Sequence, residues 1–153
     1  MACPFQLPPV SCGSCGYATF VNPRPSGGVV IVSDGRFLAL LRAREPQAGL
    51  WELPGGFCGG WEHPADAAVR EAREELGVTV TLDRFLGMWL TEYRYQDETL
   101  PVLDCFWLAR IVAGEITLDP SEAADYRWLP LTDPPALAFR SMDAAIKVSV
   151  EVV

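Results

Sequence analysis

Three glutamates crowd one side of a predicted helix, and their spacing could create a metal site. Glu71, Glu74 and Glu75 lie in the segment from Pro64 to Leu76. At about 100° per residue they fall within roughly 100° of one another on the helix surface. Like charges three and four residues apart repel and weaken a helix. The arrangement is therefore costly unless a cation compensates for it.

Two interpretations of this acidic face remain open on spacing alone. A solvated surface, eased by Arg70 and Arg73, is the usual meaning of a charge run on a helix. The alternative is a divalent cation, because Mg²⁺ prefers oxygen ligands and is held by a few carboxylates together with substrate phosphates. Spacing favours the solvated surface, so the choice depends on the surrounding segment.

The helix itself has clear boundaries and a second, apolar face. Pro64 suits the first helical position, His63 takes the N-cap place, and Gly77 suits a left-handed C-cap. An adjacent face carries small and aliphatic residues that can pack on a sheet. These are Ala65, Ala68, Val69, Ala72 and Leu76.

Strand and turn signals on both sides of the helix predict an α/β/α sandwich around a mixed sheet. Asp34-Gly35 predicts a hairpin turn, and the glycine-rich stretch 43–61 predicts a long functional loop. The predicted strands are Gly28 to Ser33, Arg36 to Arg42, Trp51 to Leu53, Val78 to Leu82, Phe85 to Tyr95, Val102 to Ile111 and Tyr126 to Leu129. A second helix is predicted from Pro135 to Val148. We expect residues 1–26 to be irregular and residues 27–153 to form one domain.

Composition narrows the function classes. The chain has 153 residues and a formal net charge of −8, which disfavours a nucleic-acid groove because phosphate backbones are bound by Lys and Arg. We expect no leader peptide and no membrane span, so the cytoplasm is the predicted location. The five cysteines fit a reducing compartment better than a disulfide framework.

The segment around the helix resembles the signature of the Nudix (MutT-like) hydrolases. The matching positions are Gly56, Glu62, Arg70, Glu71, Ala72, Glu74, Glu75, Gly77 and Val78. Ala72 stands where a larger aliphatic residue is more usual. The flanks Gly49 to Gly56 and Glu122 to Trp128 also resemble the family, so the resemblance covers about residues 27–132.

The resemblance implies the fold predicted above and a site for Mg²⁺ or Mn²⁺. It gives Glu71 and Glu75 as the main metal ligands, with Glu74 in support and the backbone carbonyl of Gly55 completing the site. Arg70 resembles the residue that orients the carboxylate of Glu71. The resemblance therefore favours a metal site over a solvated surface as the interpretation of the acidic face.

Three further positions carry structural roles and one a catalytic role in this resemblance. Gly56, Glu62 and Gly77 belong to the loop–helix framework. Glu122 resembles a loop glutamate that binds metal or acts as the base. Whether Glu71 or Glu122 is the general base stays open, although we expect Glu71 mainly to hold metal.

The N-terminal cysteines form an incomplete zinc-ribbon pattern. Cys12 and Cys15 have CxxC spacing, but Cys3 stands alone where a second pair is expected. Three cysteines need a fourth ligand from elsewhere, so we expect a degenerate remnant with less than stoichiometric zinc. If zinc is bound, these three cysteines are its candidate ligands.

The predicted function is hydrolysis of the pyrophosphate bond in a nucleoside diphosphate linked to another group. The alternative is a catalytically weak domain that senses a nucleotide. The predicted partner is a small nucleotide-derived substrate, and a homodimer stays open.

Aromatic side chains near the signature could stack a base or pack in the core. These are Trp51, Trp61, Trp89, Tyr93 and Tyr95.

Overall fold

The computed structural model describes residues 9–153, except for the side chain of Tyr95. Its first elements are strands β1 (Val10–Ser11), β2 (Ala18–Thr19), β3 (Arg24–Ser33), β4 (Arg36–Arg42), β5 (Trp51–Glu52) and β6 (Gly55–Phe57). Helix α1 (Pro64–Leu76) follows, and after it come β7 (Thr79–Tyr95), β8 (Glu98–Ala113), β9 (Ala123–Pro130) and helix α2 (Arg140–Val152).

The main sheet has seven strands and contains both parallel and antiparallel pairs. Its central order is β5-β4-β3-β8-β7, with β6 also paired to β3 and β9 to β4. Strands β3 and β8 are parallel, with Ser26 opposite Asp104, and the other pairs are antiparallel. The mixed sheet of the predicted fold class is therefore confirmed.

Alternating residues of the central strands supply two separate cores. On β3, Val29 and Ile31 pack into the core on the α1 side, while Val30 between them packs on the α2 side. Phe37 and Leu38 on β4 divide in the same way. This period of two places apolar side chains on both faces of the sheet. Each helix covers one face, which makes the predicted α/β/α sandwich.

Helix α1 has the predicted limits, and its position is set by a glycine on β3. His63 accepts a hydrogen bond from the backbone N–H of Ala65 (3.1 Å), and Gly77 closes the helix with φ 69°. A Cβ built on Gly27 would lie 1.9 Å from the carbonyl oxygen of Pro64. Only glycine at position 27 therefore lets the first turn of α1 approach the sheet this closely.

Several predicted boundaries were wrong at the N-terminal end. The predicted strand from Gly28 begins at Arg24 instead, because residues 24–31 pair in parallel with β8. Within the segment expected to be irregular, β1 and β2 also pair, closed by a hydrogen bond from the N–H of Cys12 to the carbonyl of Tyr17 (2.8 Å).

Other corrections concern the second half of the chain. The two strands predicted over 78–82 and 85–95 form the single strand β7, whose irregular register near Asp83 absorbs the interruption. Helix α2 begins at Arg140, not Pro135, and continues to Val152. Strands β8 and β9 are longer than predicted, and β6 was not predicted. No helix within residues 9–153 is long and apolar enough to span a membrane.

Candidate active site

Six glutamates and two arginines line one cleft of about 320 Å³ at the edge of α1. They are Glu52, Glu71, Glu74, Glu75, Glu92, Glu122, Arg42 and Arg44. The glycines of β6 line the same cleft, so backbone and carboxylate oxygens face a common space. Its size is at the lower end of the range of small-molecule sites.

Arg70 organises the carboxylates on the exposed side of α1. Its guanidinium donates to Glu71 (2.6 Å), to Glu74 (2.8 Å), and twice to Glu62 (2.8 Å each). It also donates to the carbonyl of Phe57 (3.0 Å), which ties the helix to β6. The bonds from Arg70 are the main reason that the pKa of Glu62 falls to about 2. Arg70 and Glu62 thus brace the junction of loop and helix.

Glu75 and Glu71 lie deeper than Glu74. The Glu75 side chain accepts the backbone N–H of Gly55 (2.9 Å) and is 5% exposed. Burial raises the pKa of Glu75 well above its ordinary value, and the nearby Glu52 carboxylate raises it further. Burial also raises the pKa of Glu71, against the attraction of Arg70. Bringing these groups together as anions costs free energy that a bound cation would offset.

The donor chemistry of this cleft fits a hard divalent cation. Within residues 9–153, no three His, Cys, Asp or Glu side chains converge into a complete metal cage. Glu71 and Glu74 turn toward Arg70, and Glu75 turns toward Gly55. Carboxylates with room for further oxygen ligands nevertheless match Mg²⁺, which keeps several waters and takes few protein ligands.

Gly56 lies against the Glu71 carboxylate. A Cβ built on Gly56 would be 2.6 Å from both Cδ and Oε1 of Glu71. The neighbouring Gly55 has φ 155°, a backbone conformation that favours glycine. The glycine pair therefore lets the loop backbone and the Glu71 carboxylate share one small volume.

Glu122 lies in an ordered turn before β9. Its backbone N–H donates to Asp119 (3.0 Å), and its carbonyl accepts from Ala43 (2.9 Å). Its carboxylate forms an ion pair with Arg44 (2.6 Å), an exposed side chain. The Glu122 side chain can thus move into the cleft by leaving Arg44 alone. Movement of the whole turn would also break the backbone hydrogen bonds to Asp119 and Ala43.

A buried ion pair between Arg42 and Glu52 was not predicted from the sequence. Arg42 also donates to the carbonyl of Pro46 (2.8 Å) and lies over the Phe139 ring at 5.1 Å. Burial raises the pKa of Glu52 to about 7, and Arg42 offsets only part of that effect. Glu52 follows Trp51 in the loop-entry motif, and nothing in the local sequence distinguishes it from a surface glutamate.

A second unpredicted feature is Asp104 on β8. It accepts hydrogen bonds from the hydroxyls of Ser26 (2.5 Å), Thr91 (2.6 Å) and Ser141 (2.6 Å). Asp104 and the first two of these residues line the cleft. The available signal was a lone acidic residue inside an apolar strand, which usually needs a partner or a function.

The cysteines divide between surface and interior. Cys12 and Cys15 are exposed in the turn joining β1 and β2, and the hydrogen bond from Ser14 is the main cause that lowers the pKa of Cys12 to about 6. Cys3 lies outside the described residues, so the expectation of little zinc stays a prediction. Cys105 is buried on β8.

Aromatic side chains form one wall of the cleft, and most of the predicted candidates do not belong to it. Tyr93 contacts Phe57 (ring centroids 5.3 Å apart) and Phe139 (5.8 Å), and all three line the cleft. Trp61 is fully exposed, whereas Trp89 packs against the α2-side core. Of the four named aromatics whose side chains the structure describes, Tyr93 lines the cleft.

Comparison with protein families gives a match to the NUDIX domain over residues 22–147. The chain is 28% identical over 123 residues to an ADP-ribose pyrophosphatase of Methanocaldococcus jannaschii, covering 80% of this chain and 71% of that protein. It is 30% identical over 132 residues to the NAD-capped RNA hydrolase NudC of Pseudomonas putida, covering 86% of this chain but only 45% of NudC.

Solved structures show the same fold. The crystal structure of a MutT NUDIX hydrolase from Burkholderia pseudomallei is 30% identical, with a TM-score of 0.68, and the match covers 82% of this chain and 97% of that one. A NUDIX hydrolase from Nitrosomonas europaea is 23% identical with a TM-score of 0.73, over 93% of this chain and 78% of that one.

Proposed function

The chain belongs to the NUDIX hydrolase family, and we propose that it uses Mg²⁺ or Mn²⁺ to cleave the pyrophosphate bond of a nucleoside diphosphate linked to another group. The observation that carries this proposal is that six glutamates and a glycine loop line one cleft. Some relatives bear names such as ADP-ribose pyrophosphatase and NAD-capped RNA hydrolase, which fit this substrate class.

The proposed metal ligands are Glu71, Glu74 and Glu75 with the backbone carbonyl of Gly55. Their support is that the three side chains share a cleft with the glycine loop and that two are substantially buried. A bound divalent metal would neutralise phosphoryl charge and lower the pKa of a coordinated water. Arg70 would orient the Glu71 carboxylate, as its 2.6 Å hydrogen bond suggests.

Two arginines supply positive charge for the substrate. Arg42 is held rigidly by Glu52, Pro46 and the Phe139 ring, so it would meet a phosphate oxygen with little loss of side-chain freedom. Arg44 is exposed and paired to Glu122, so a phosphate that attracts Arg44 would free the Glu122 carboxylate. The freed carboxylate could accept a proton from the attacking water or take a further metal.

The test is a screen of diphosphate-linked nucleosides with Mg²⁺, with Mn²⁺ and with a chelator. Wild type should release a nucleoside monophosphate or phosphate from at least one class, and only with metal. The matched variants are Glu74→Gln, at a proposed ligand, and Glu115→Gln, at an exposed glutamate outside the cleft. Binding of a nucleotide without turnover by wild type would instead support the nucleotide-sensing alternative. The cytoplasmic location and the homodimer stay predictions.

A further inference from the structure

Asp104 forms a second polar centre of the cleft, on the α2 side of the sheet. Its Oδ1 accepts the hydroxyl of Ser26, and its Oδ2 accepts those of Thr91 and Ser141. A carboxylate offers about four acceptor positions, and the side chains of the described part of the chain fill three of them. Among residues 9–153, no arginine, lysine or histidine forms an ion pair with Asp104.

The hydroxyls make this centre selective for one kind of partner. Each of the three hydroxyls donates its single hydrogen to Asp104, so none is left to donate to a ligand. Ser26, Thr91 and Asp104 therefore present only acceptor oxygens to the cleft. A ligand group that matches them must donate a hydrogen bond.

An aromatic wall lies beside these acceptors. The ring of Tyr93 lies between those of Phe57 and Phe139, and Phe106 also lines the cleft. Such a wall suits a flat, conjugated ring, because stacking on aromatic side chains tolerates any base. The acceptors and the wall together describe a site for a planar group that carries hydrogen-bond donors.

The spacing relates this site to the glutamates. Ser26 pairs with Phe57 on one side and with Asp104 on the other, so the two partners are two strand spacings apart, roughly 10 Å. Gly56, next to Phe57, contacts the Glu71 carboxylate. Asp104 therefore lies within reach of a nucleoside attached to a diphosphate held at Glu71.

We propose that this wall binds the nucleobase of the substrate and that Asp104 accepts a hydrogen bond from its exocyclic amine. The site then selects adenine, guanine or cytosine over uracil and thymine, which have no such amine. This inference rests on the proposed function, because it assigns the nucleoside half of that substrate.

The test measures binding of nucleoside monophosphates by calorimetry in the presence of a chelator. Three pairs compare a base that carries an exocyclic amine with one that lacks it at the same position: AMP against IMP, GMP against IMP, and CMP against UMP. Wild type should bind the amino member at least about tenfold more tightly in one or more pairs, the usual effect of a hydrogen bond to a charged group. Asp104→Asn, which replaces one acceptor oxygen with a donor, should abolish that preference.

The control is Asp34→Asn, which removes the same charge in the turn after β3 and should leave every ratio unchanged. Equal binding within all three pairs by wild type would overturn the proposal, even if Asp104→Asn did not fold. A preference that survives Asp104→Asn would overturn it too. If Asp104→Asn instead abolished a preference for AMP over 2′-deoxy-AMP, Asp104 would recognise the sugar and not the base.

These measurements need no turnover, so they separate the two proposals. Amine selection without hydrolysis of any diphosphate would refute the proposed reaction but keep the base assignment. Hydrolysis without amine selection would support the proposed reaction but refute the base assignment.

Discussion

Gly56→Ala should damage the proposed metal site while leaving the fold nearly intact. The added methyl would lie 2.6 Å from Cδ and Oε1 of Glu71, against about 3.5 Å for an ordinary contact. The carboxylate must therefore retreat by roughly 1 Å. It is the end of a flexible side chain, so its movement relieves the clash without displacing backbone.

The expected size of the effect follows from that displacement. A misplacement of about 1 Å in a catalytic group can cost about 10²-fold in rate. We expect kcat on a confirmed substrate to fall by about that factor and the Mn²⁺ concentration for half-maximal activity to rise. Stability should change by less than about 1 kcal/mol, because alanine also restricts the unfolded chain at this position.

Two glycine variants make the assay decisive. Gly60→Ala, in the same loop, has open space around the added methyl and should behave as wild type in both rate and thermal unfolding. Gly27→Ala would place its Cβ 1.9 Å from the carbonyl oxygen of Pro64, a backbone atom of α1. It should destabilise the fold by at least about 1–3 kcal/mol. Full activity in Gly56→Ala, or a loss of stability equal to that of Gly27→Ala, would refute this account of the loop.

Three other predictions concern the carboxylates. Added Mg²⁺ or Mn²⁺ should raise the melting temperature of wild type in a thermal-shift assay, because a ligand of the folded state stabilises it. Glu75→Gln should lose most of that rise. Equal rises in the two proteins would show that Glu75 does not bind the metal. Glu122→Gln should lower kcat by about 10²–10⁴-fold in steady-state assays, with little change in metal affinity. An unchanged kcat would show that Glu122 is not the general base and that a glutamate of α1 takes this role. The pKa of Glu52 rises from 4.5 to about 7 on folding, so its contribution to stability is full below pH 4.5 and is lost as pH rises through 7. In chelator, the free energy of unfolding of wild type relative to Glu52→Gln should therefore fall by about 3 kcal/mol from pH 4.5 to 8, and a flat difference in denaturant titrations would contradict the raised pKa.

The helix and its carboxylates were predictable because their signals are local. Pro64 and Gly77 mark the ends of α1, and the charge pattern between them needs no knowledge of the rest of the chain. The Asp34-Gly35 turn is confirmed for the same reason, with φ of 50° and 71° at its two central residues. Such turns admit few residue types, so the dipeptide is informative by itself.

The parts that could not be predicted depend on distant partners. The early start of β3 at Arg24 is fixed by parallel pairing with β8, and the hydroxyls around Asp104 come from three other elements. Helix α2 starts late because Phe139 stays extended and packs in the α2-side core. No window of neighbouring residues contains this information.

The parallel pairing of β3 with β8 also sets the order in which the protein can fold. Ser26 and its partner Asp104 are separated by 78 positions in the chain. Closing so long a loop costs chain entropy before any contact repays it, and folds rich in such contacts form slowly. During synthesis, the signature helix emerges well before β8, so the cleft can close only after β8 has also left the ribosome.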